Sequence, residues 1–411
     1  MSAAAGKSRA ALPVTPLLAV GAFAIGTDTF VVAGVLPEVA RDLGSSLADT
    51  GWVSTVFALT YAVLAPVLGA LTGRMERRRV LVVSLTVFAA GNAASALADD
   101  LGTLLAARVL TAAGAALYVP AASASAAALA APERRGRAMA VVLGGLSAAT
   151  LAGVPFGTWL AADLGWAATF WLLAGLGAVC AAAVALGLPA VRLPTAPGLA
   201  ARLAPVRDPR VLSTVLTTLA FMTGGYLALT YIGAVLAPAT DGDGTTLALL
   251  LLVFGVFAVG GTVIGGRATD RWGAPPVLSA ALAGLAAVLV TLPLTRDSMA
   301  TAVVAMAVWG VTAMATQPPQ QHRLFTIAPA SGPLLLSLNS SATFAGISLG
   351  GFIGGRVLTH GGAHGVDRLG QFGAALAVAA LLTSAVGPRL RPPGPRTTTA
   401  AGTPEPAREP G

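Results

Sequence analysis

The chain has 411 residues, of which 55% are hydrophobic and only 10% charged, with a net charge of +8. Soluble domains carry roughly 25% charged residues, so a water-soluble fold is excluded. The basic residues sit in short loops with no aromatic-interleaved basic face, which excludes nucleic acid as a partner.

In chain order, apolar runs of about 20 residues recur, each able to cross a hydrocarbon core of roughly 30 Å. They predict twelve spans, near 14–37, 50–72, 79–98, 103–128, 138–162, 167–189, 211–236, 245–267, 275–295, 299–321, 333–357 and 369–387. Residues 1–13 form an N-terminal tail. There Lys7 and Arg9 before an apolar run imitate a signal peptide, but no small-residue cleavage site follows, and the segment reads as an uncleaved first helix. The Pro-, Gly- and Arg-containing linker 190–210 separates a six-span half, 14–189, from a second, 211–387. The tail 388–411 is rich in Pro, Thr and Gly and is predicted to be disordered.

Of the 25 basic residues, all but Arg41, Arg108, Arg296, Arg356 and Arg368 fall on the side of the N-terminus. The opposite loops carry Asp99, Asp100, Asp163, Asp241 and Asp243. The positive-inside rule therefore predicts both termini in the cytoplasm.

Span 1 contains Asp28, the one acid at the centre of an apolar run. An intramembrane carboxylate costs about 2.5–3.5 kcal/mol on insertion scales and usually marks a function. By the helical rise, Asp28 lies about 13 Å and Arg108 of span 4 about 8 Å inside the same membrane face. Their side chains can meet. A carboxyl between burial, which favours its neutral form, and a guanidinium, which favours its charged form, can bind and release a proton as its surroundings switch. The alternative is a static ion pair that fixes helix packing.

Thr29, Tyr61, Tyr118, Tyr226, Tyr231, Gln317 and Asn339 are the candidate substrate contacts, since a mostly apolar cavity with a few polar groups suits an amphipathic small molecule. For each, interhelical hydrogen bonding or packing is the alternative. Gly153, Pro155 and Gly157 predict a bend in span 5, and Pro318 and Pro319 a kink or end in span 10. Cys180 reads as a small core residue. His360 and His364 lack a third metal ligand. No nucleotide-binding, zinc-protease or nucleophile-elbow motif is present. No cofactor and no catalytic site are expected, and an ion gradient is expected to supply the energy.

The halves repeat. Ser147 to Gly157 in span 5 and Ser340 to Gly350 in span 11 align at an offset of 193, with Ser, Ala, Thr, Ala, Gly and Gly in common. Parallel duplication of six spans is a transporter architecture.

These features resemble the major facilitator superfamily, over residues 14–387. The loop after span 2, Gly69 to Arg79 with Arg74, Arg77 and Arg78, is similar to the family's loop signature. Gly266 to Gly273, with Asp270 and Arg271, is its better-matched echo after span 8. Leu104 to Gly114 around Arg108 is similar to the span-4 motif of drug:proton antiporters, and Gly153 to Gly157 to the antiporter motif of span 5. Gly26 to Glu38 is close to the branch of chloramphenicol-resistance and sugar-efflux exporters. The chain departs from the family at Gly73, where an Asp that helps hold the inner gate is expected, and at Glu76, Ala112 and Ala167. Either Glu76 or Asp270 is then left to serve that gate, or the gate is weaker.

The resemblance implies an all-α membrane protein with twelve transmembrane helices in two six-helix bundles. It implies a monomer in the bacterial inner membrane that exports an amphipathic compound, such as an antibiotic, in exchange for protons. Export of a sugar or metabolite is the alternative. In that reading Asp28 and Arg108 couple protons, while Gly69, Arg74, Arg77, Arg78, Gly153, Pro155, Gly157, Asp270 and Arg271 serve the conformational change. A membrane sensor or enzyme would need a soluble module, and the longest stretch outside the spans is the tail 388–411.

Overall fold

Small residues decide how closely these helices approach, and the two aligned segments show it. Gly153 and Gly157 of span 5 lie against Thr27 and Val31 of span 1. Their counterparts at the offset of 193, Gly346 and Gly350 of span 11, lie against Leu219, Met222 and Thr223 of span 7. In both halves a glycine face packs on the first helix of that half, leaving no room for a Cβ. The internal repeat is thus carried into the packing.

The computed structural model describes residues 5–191, 204–327 and 332–386. Span 1 is Ala5–Asp42, span 2 Trp52–Leu71, span 3 Arg77–Ala96, span 4 Leu101–Leu129, span 6 Trp166–Gly187 and span 7 Pro209–Leu229. Span 8 is Gly244–Trp272, span 9 Ala274–Thr295, span 11 Gly332–His360 and span 12 Gly365–Val386. Among the described residues, eleven spans are long and apolar enough to cross a membrane. Span 11 is as long, but its polar run Ser337, Asn339, Ser340, Ser341 and Thr343 lowers its hydropathy. Helix ends are capped as the side chains dictate: Asp100 accepts from the Thr103 amide at 2.9 Å and Asp243 from the Thr246 amide at 2.7 Å. Gly165 and Gly273, at φ +86° and +83°, are single-residue turns between antiparallel helices.

Several boundaries differ from expectation. Span 1 is helical from Ala5, within the expected tail. Span 5 is not one bent α-helix: Arg135–Ala148 passes through a π-helical turn, Ala149–Gly153, into Val154–Leu164. Pro155 cannot donate to the ladder, and the widened turn before it absorbs the mismatch. Pro318 and Pro319 interrupt span 10, as expected, but do not end it. The break falls at Thr316, after Met299–Ala315, and the prolines open a second helix, Gln317–Ile327, where a missing N–H costs nothing. The tail 388–411 and most of the linker 190–210 lie outside the described residues.

The ends of the molecule differ in charge: a basic end with Arg74, Arg77, Arg134, Arg135 and Arg137, and an acidic end with Asp42, Asp100, Asp163 and Asp243. Among the described residues, the hydrogen bond and ring contacts joining the halves run from mid-depth to the acidic end. Ser348 Oγ donates to the Thr55 carbonyl at 3.1 Å, Trp52 meets Phe352 edge-on at 5.5 Å, and Tyr61 stacks on Phe344 at 3.6 Å. Gly233 lies against Pro37, and Gly244 against Ala162. Toward the basic end, Gly144 of span 5 and Gly260 and Gly266 of span 8 face open space. The halves are closed at the acidic end.

Candidate functional site

Asp28 and Arg108 meet inside the first half. Arg108 Nη1 donates to Asp28 Oδ1 at 2.7 Å, and Nη2 to the Asp28 carbonyl at 3.4 Å. Both side chains have zero exposure. The guanidinium lies over the Phe57 ring at 4.4 Å and the Phe170 ring at 5.6 Å. These rings from spans 2 and 6 separate the pair from bulk water, which strengthens the attraction between the charges. Asp28 Oδ2 and Arg108 Nε have no hydrogen-bond partner among the described residues. Thr27 and Thr29 flank the acid but bond backward along their own helix, to the Phe23 and Ile25 carbonyls.

Two residues along, Phe30 faces the other half and lies 6.3 Å from the Tyr226 ring of span 7. Tyr226 lines a narrow cleft between spans 7, 9 and 10, with Phe221, Met222, Leu285, Trp309 and Met314. Trp309 is held edge-on by Phe254 at 6.2 Å.

The four tyrosines, alike as candidates in sequence, separate in space. Tyr61 stacks on Phe344 and Tyr226 meets Phe30 at a tilt, each across to the opposite half, and their hydroxyls bond no described residue. Tyr118 is buried in the first half and donates to the Leu18 carbonyl at 3.0 Å. Tyr231 donates to the Gly351 carbonyl at 2.8 Å in a slot formed by Gly51, Gly354 and Gly355 at the acidic end. Tyr118 and Tyr231 therefore stand away from the cleft, because their hydroxyls satisfy backbone carbonyls. Asn339 is also engaged structurally: its Oδ1 accepts from Thr218 at 2.7 Å, and Gln320 donates to Thr218 at 2.9 Å. This network ties spans 7, 10 and 11 together. Gln317 is half-buried at the break in span 10.

Among the described residues, the side chains expected to gate are engaged within their own halves at the basic end. Arg77 is buried and donates to the Gly73 carbonyl at 3.1 Å, while its amide donates to the Val191 carbonyl at 2.9 Å. Glu76 is used within its own loop, by Arg78 at 3.4 Å and Arg79 at 3.5 Å. Arg74 and Asp270 are exposed, Gly69 is half-buried, and Arg271 lies over Trp272 at 5.7 Å. Phe30, Phe344, Met222, Met314 and Trp309 were missed in sequence. A bulky aromatic two residues from the intramembrane acid was the signal for Phe30.

The sequence profile of the Major Facilitator Superfamily matches residues 18–332. The inner membrane transport protein YdhP of Escherichia coli (strain K12) is 32% identical over 369 residues, 90% of this chain and 95% of that protein. A chloramphenicol resistance protein of Streptomyces lividans is 30% identical over 259 residues, 62% of this chain and 66% of that one. Among solved structures, the nucleoside transporter NupG superposes with a TM-score of 0.75 over 91% of this chain and 98% of its own, at 12% identity, a likeness of fold alone. With its twelve-helix fold, this chain belongs to the major facilitator superfamily: it is a multi-pass membrane transporter and not an enzyme.

Proposed function

We propose that the protein exports a small amphipathic compound across a bacterial inner membrane by alternating access, in exchange for protons carried on Asp28. The observation that carries this reading is the buried Asp28–Arg108 pair, on the same helix as Phe30, which faces the cleft through Tyr226. The basic end is then cytoplasmic, as the Lys/Arg bias favours. The state seen here, closed at the acidic end, is the one that loads substrate from the cytoplasm or the inner leaflet.

In the cycle, the intact ion pair belongs to the loading state. Reorientation opens the acidic end and releases the substrate. A proton then neutralises Asp28 and frees Arg108, and its release to the cytoplasm restores the pair. Protonation of Asp28 leaves the buried guanidinium without its counter-charge, a cost of about 3–5 kcal/mol that proton release on the cytoplasmic side relieves. The relative named for chloramphenicol resistance makes amphenicols the first compounds to test. The apolar lining of the cleft argues against a sugar, which needs several polar partners. The test is uptake of amphenicols, dyes and sugars into everted vesicles under an imposed pH gradient. Gradient-driven uptake of an amphenicol or dye is expected, and uptake of sugars alone would contradict the reading.

A further inference from the structure

Resting on the export reading, we infer that the cleft of spans 7, 9 and 10 takes uncharged, flat aromatic compounds and rejects lipophilic cations. Its walls, Phe221, Met222, Tyr226, Leu285, Trp309 and Met314, are apolar and largely aromatic. No acid lines it. Of the acids among the described residues, Asp28 alone lies at mid-depth, and it has zero exposure and is bound to Arg108 in the other half. A cation entering the cleft sheds its hydration and meets no counter-charge. Ring faces such as Trp309 compensate that loss only in part. An uncharged ring system sheds little. The thioethers of Met222 and Met314 adapt to aromatic faces, and the Tyr226 hydroxyl, which bonds no described residue, can donate to an acceptor on the compound.

Gly225 sits in the wall with open space where a Cβ would stand. A larger side chain there fills the cleft without striking the protein. Gly224, beside it, faces the Gly373 carbonyl and has no such room.

The experiment is equilibrium dialysis of the full chain in lipid nanodiscs at pH 8 with two ligands of one shape, acridine, which is uncharged there, and N-methylacridinium, a permanent cation. Acridine is expected to bind at least tenfold more tightly. Gly225→Leu should weaken acridine at least tenfold with melting unchanged, and Ala313→Leu, which fills the cleft from span 10, serves if Gly225→Leu fails to fold. Ala313→Glu, which supplies the missing acid, should reverse the order of the two ligands. Equal or tighter binding of the cation by the unmodified chain overturns the inference, as does failure of the unmodified chain to bind acridine, or acridine binding indifferent to both fillers. Proton-driven export of cations that still depends on Asp28 would sink this inference and leave the export reading standing.

Discussion

Asp28 and Phe30, two residues apart and so about 200° apart around span 1, serve opposite neighbours. Asp28 is held by Arg108 within the first half at 2.7 Å, while Phe30 meets Tyr226 of the second half at 6.3 Å. A rotation or tilt of this one helix therefore moves the ion pair and the wall of the cleft together. In the proposed cycle, this helix links the proton site on one face to the substrate site on the other.

The ion pair should be strongly non-additive in stability. Arg108→Gln leaves a buried carboxylate unpaired and is expected to cost about 3–5 kcal/mol. Asp28→Asn with Arg108→Gln removes both charges and should recover most of that loss. Thermal unfolding of the single and double variants in one detergent checks this. A double variant no more stable than Arg108→Gln would contradict it.

The tyrosines should divide into two pairs. Tyr118→Phe and Tyr231→Phe leave the Leu18 and Gly351 carbonyls without their donors and should each cost about 1–3 kcal/mol. Tyr61→Phe and Tyr226→Phe remove hydroxyls that bond no described residue. They should leave melting unchanged while weakening substrate binding severalfold. Melting curves beside ligand titrations separate the two classes.

Much of this was legible in the sequence, and the rest was not for identifiable reasons. Twelve apolar runs, Asp28 and Arg108 follow from composition and depth alone. The sorting of the tyrosines does not, because it depends on the rotation of each helix, and hydropathy is nearly uniform around a helix that packs on protein and lipid at once. The π turn at Ala149–Gly153 and the break at Thr316 depend on how neighbours accept a proline. The bonding of Asn339 to Thr218 joins residues 121 positions apart, which no local pattern reports.

Closure at the acidic end should depend on the slot that holds Tyr231. Gly51→Ala places a methyl group where the Tyr231 hydroxyl lies, across the boundary between the halves. The variant should shift the population toward the state open at the acidic end. Tyr231→Ala in the same chain should restore closure. Distances between spin labels at Asp49 and Arg356, both exposed, report the shift as a longer component in Gly51→Ala that the double variant lacks.

The cap of span 7 should be lost in acid. Asp208 accepts from the Arg210 amide at 2.9 Å and pairs with its guanidinium at 2.9 Å. The Arg210 side chain holds this carboxyl below its ordinary value. A lowered folded-state value means that the stabilisation is complete above the unfolded value of about 3.9 and fades as pH falls through the folded one. Asp208→Ala should therefore lower the melting temperature at pH 7 and have little effect at pH 3.

The role of Asp28 is tested most directly by chloramphenicol uptake into everted vesicles carrying the unmodified chain or Asp28→Asn, with and without a pH gradient. Asp28→Asn should lose at least 90% of the gradient-driven uptake while keeping gradient-independent exchange and normal expression. Gradient-driven uptake in Asp28→Asn equal to that of the unmodified chain would contradict proton coupling through this carboxylate.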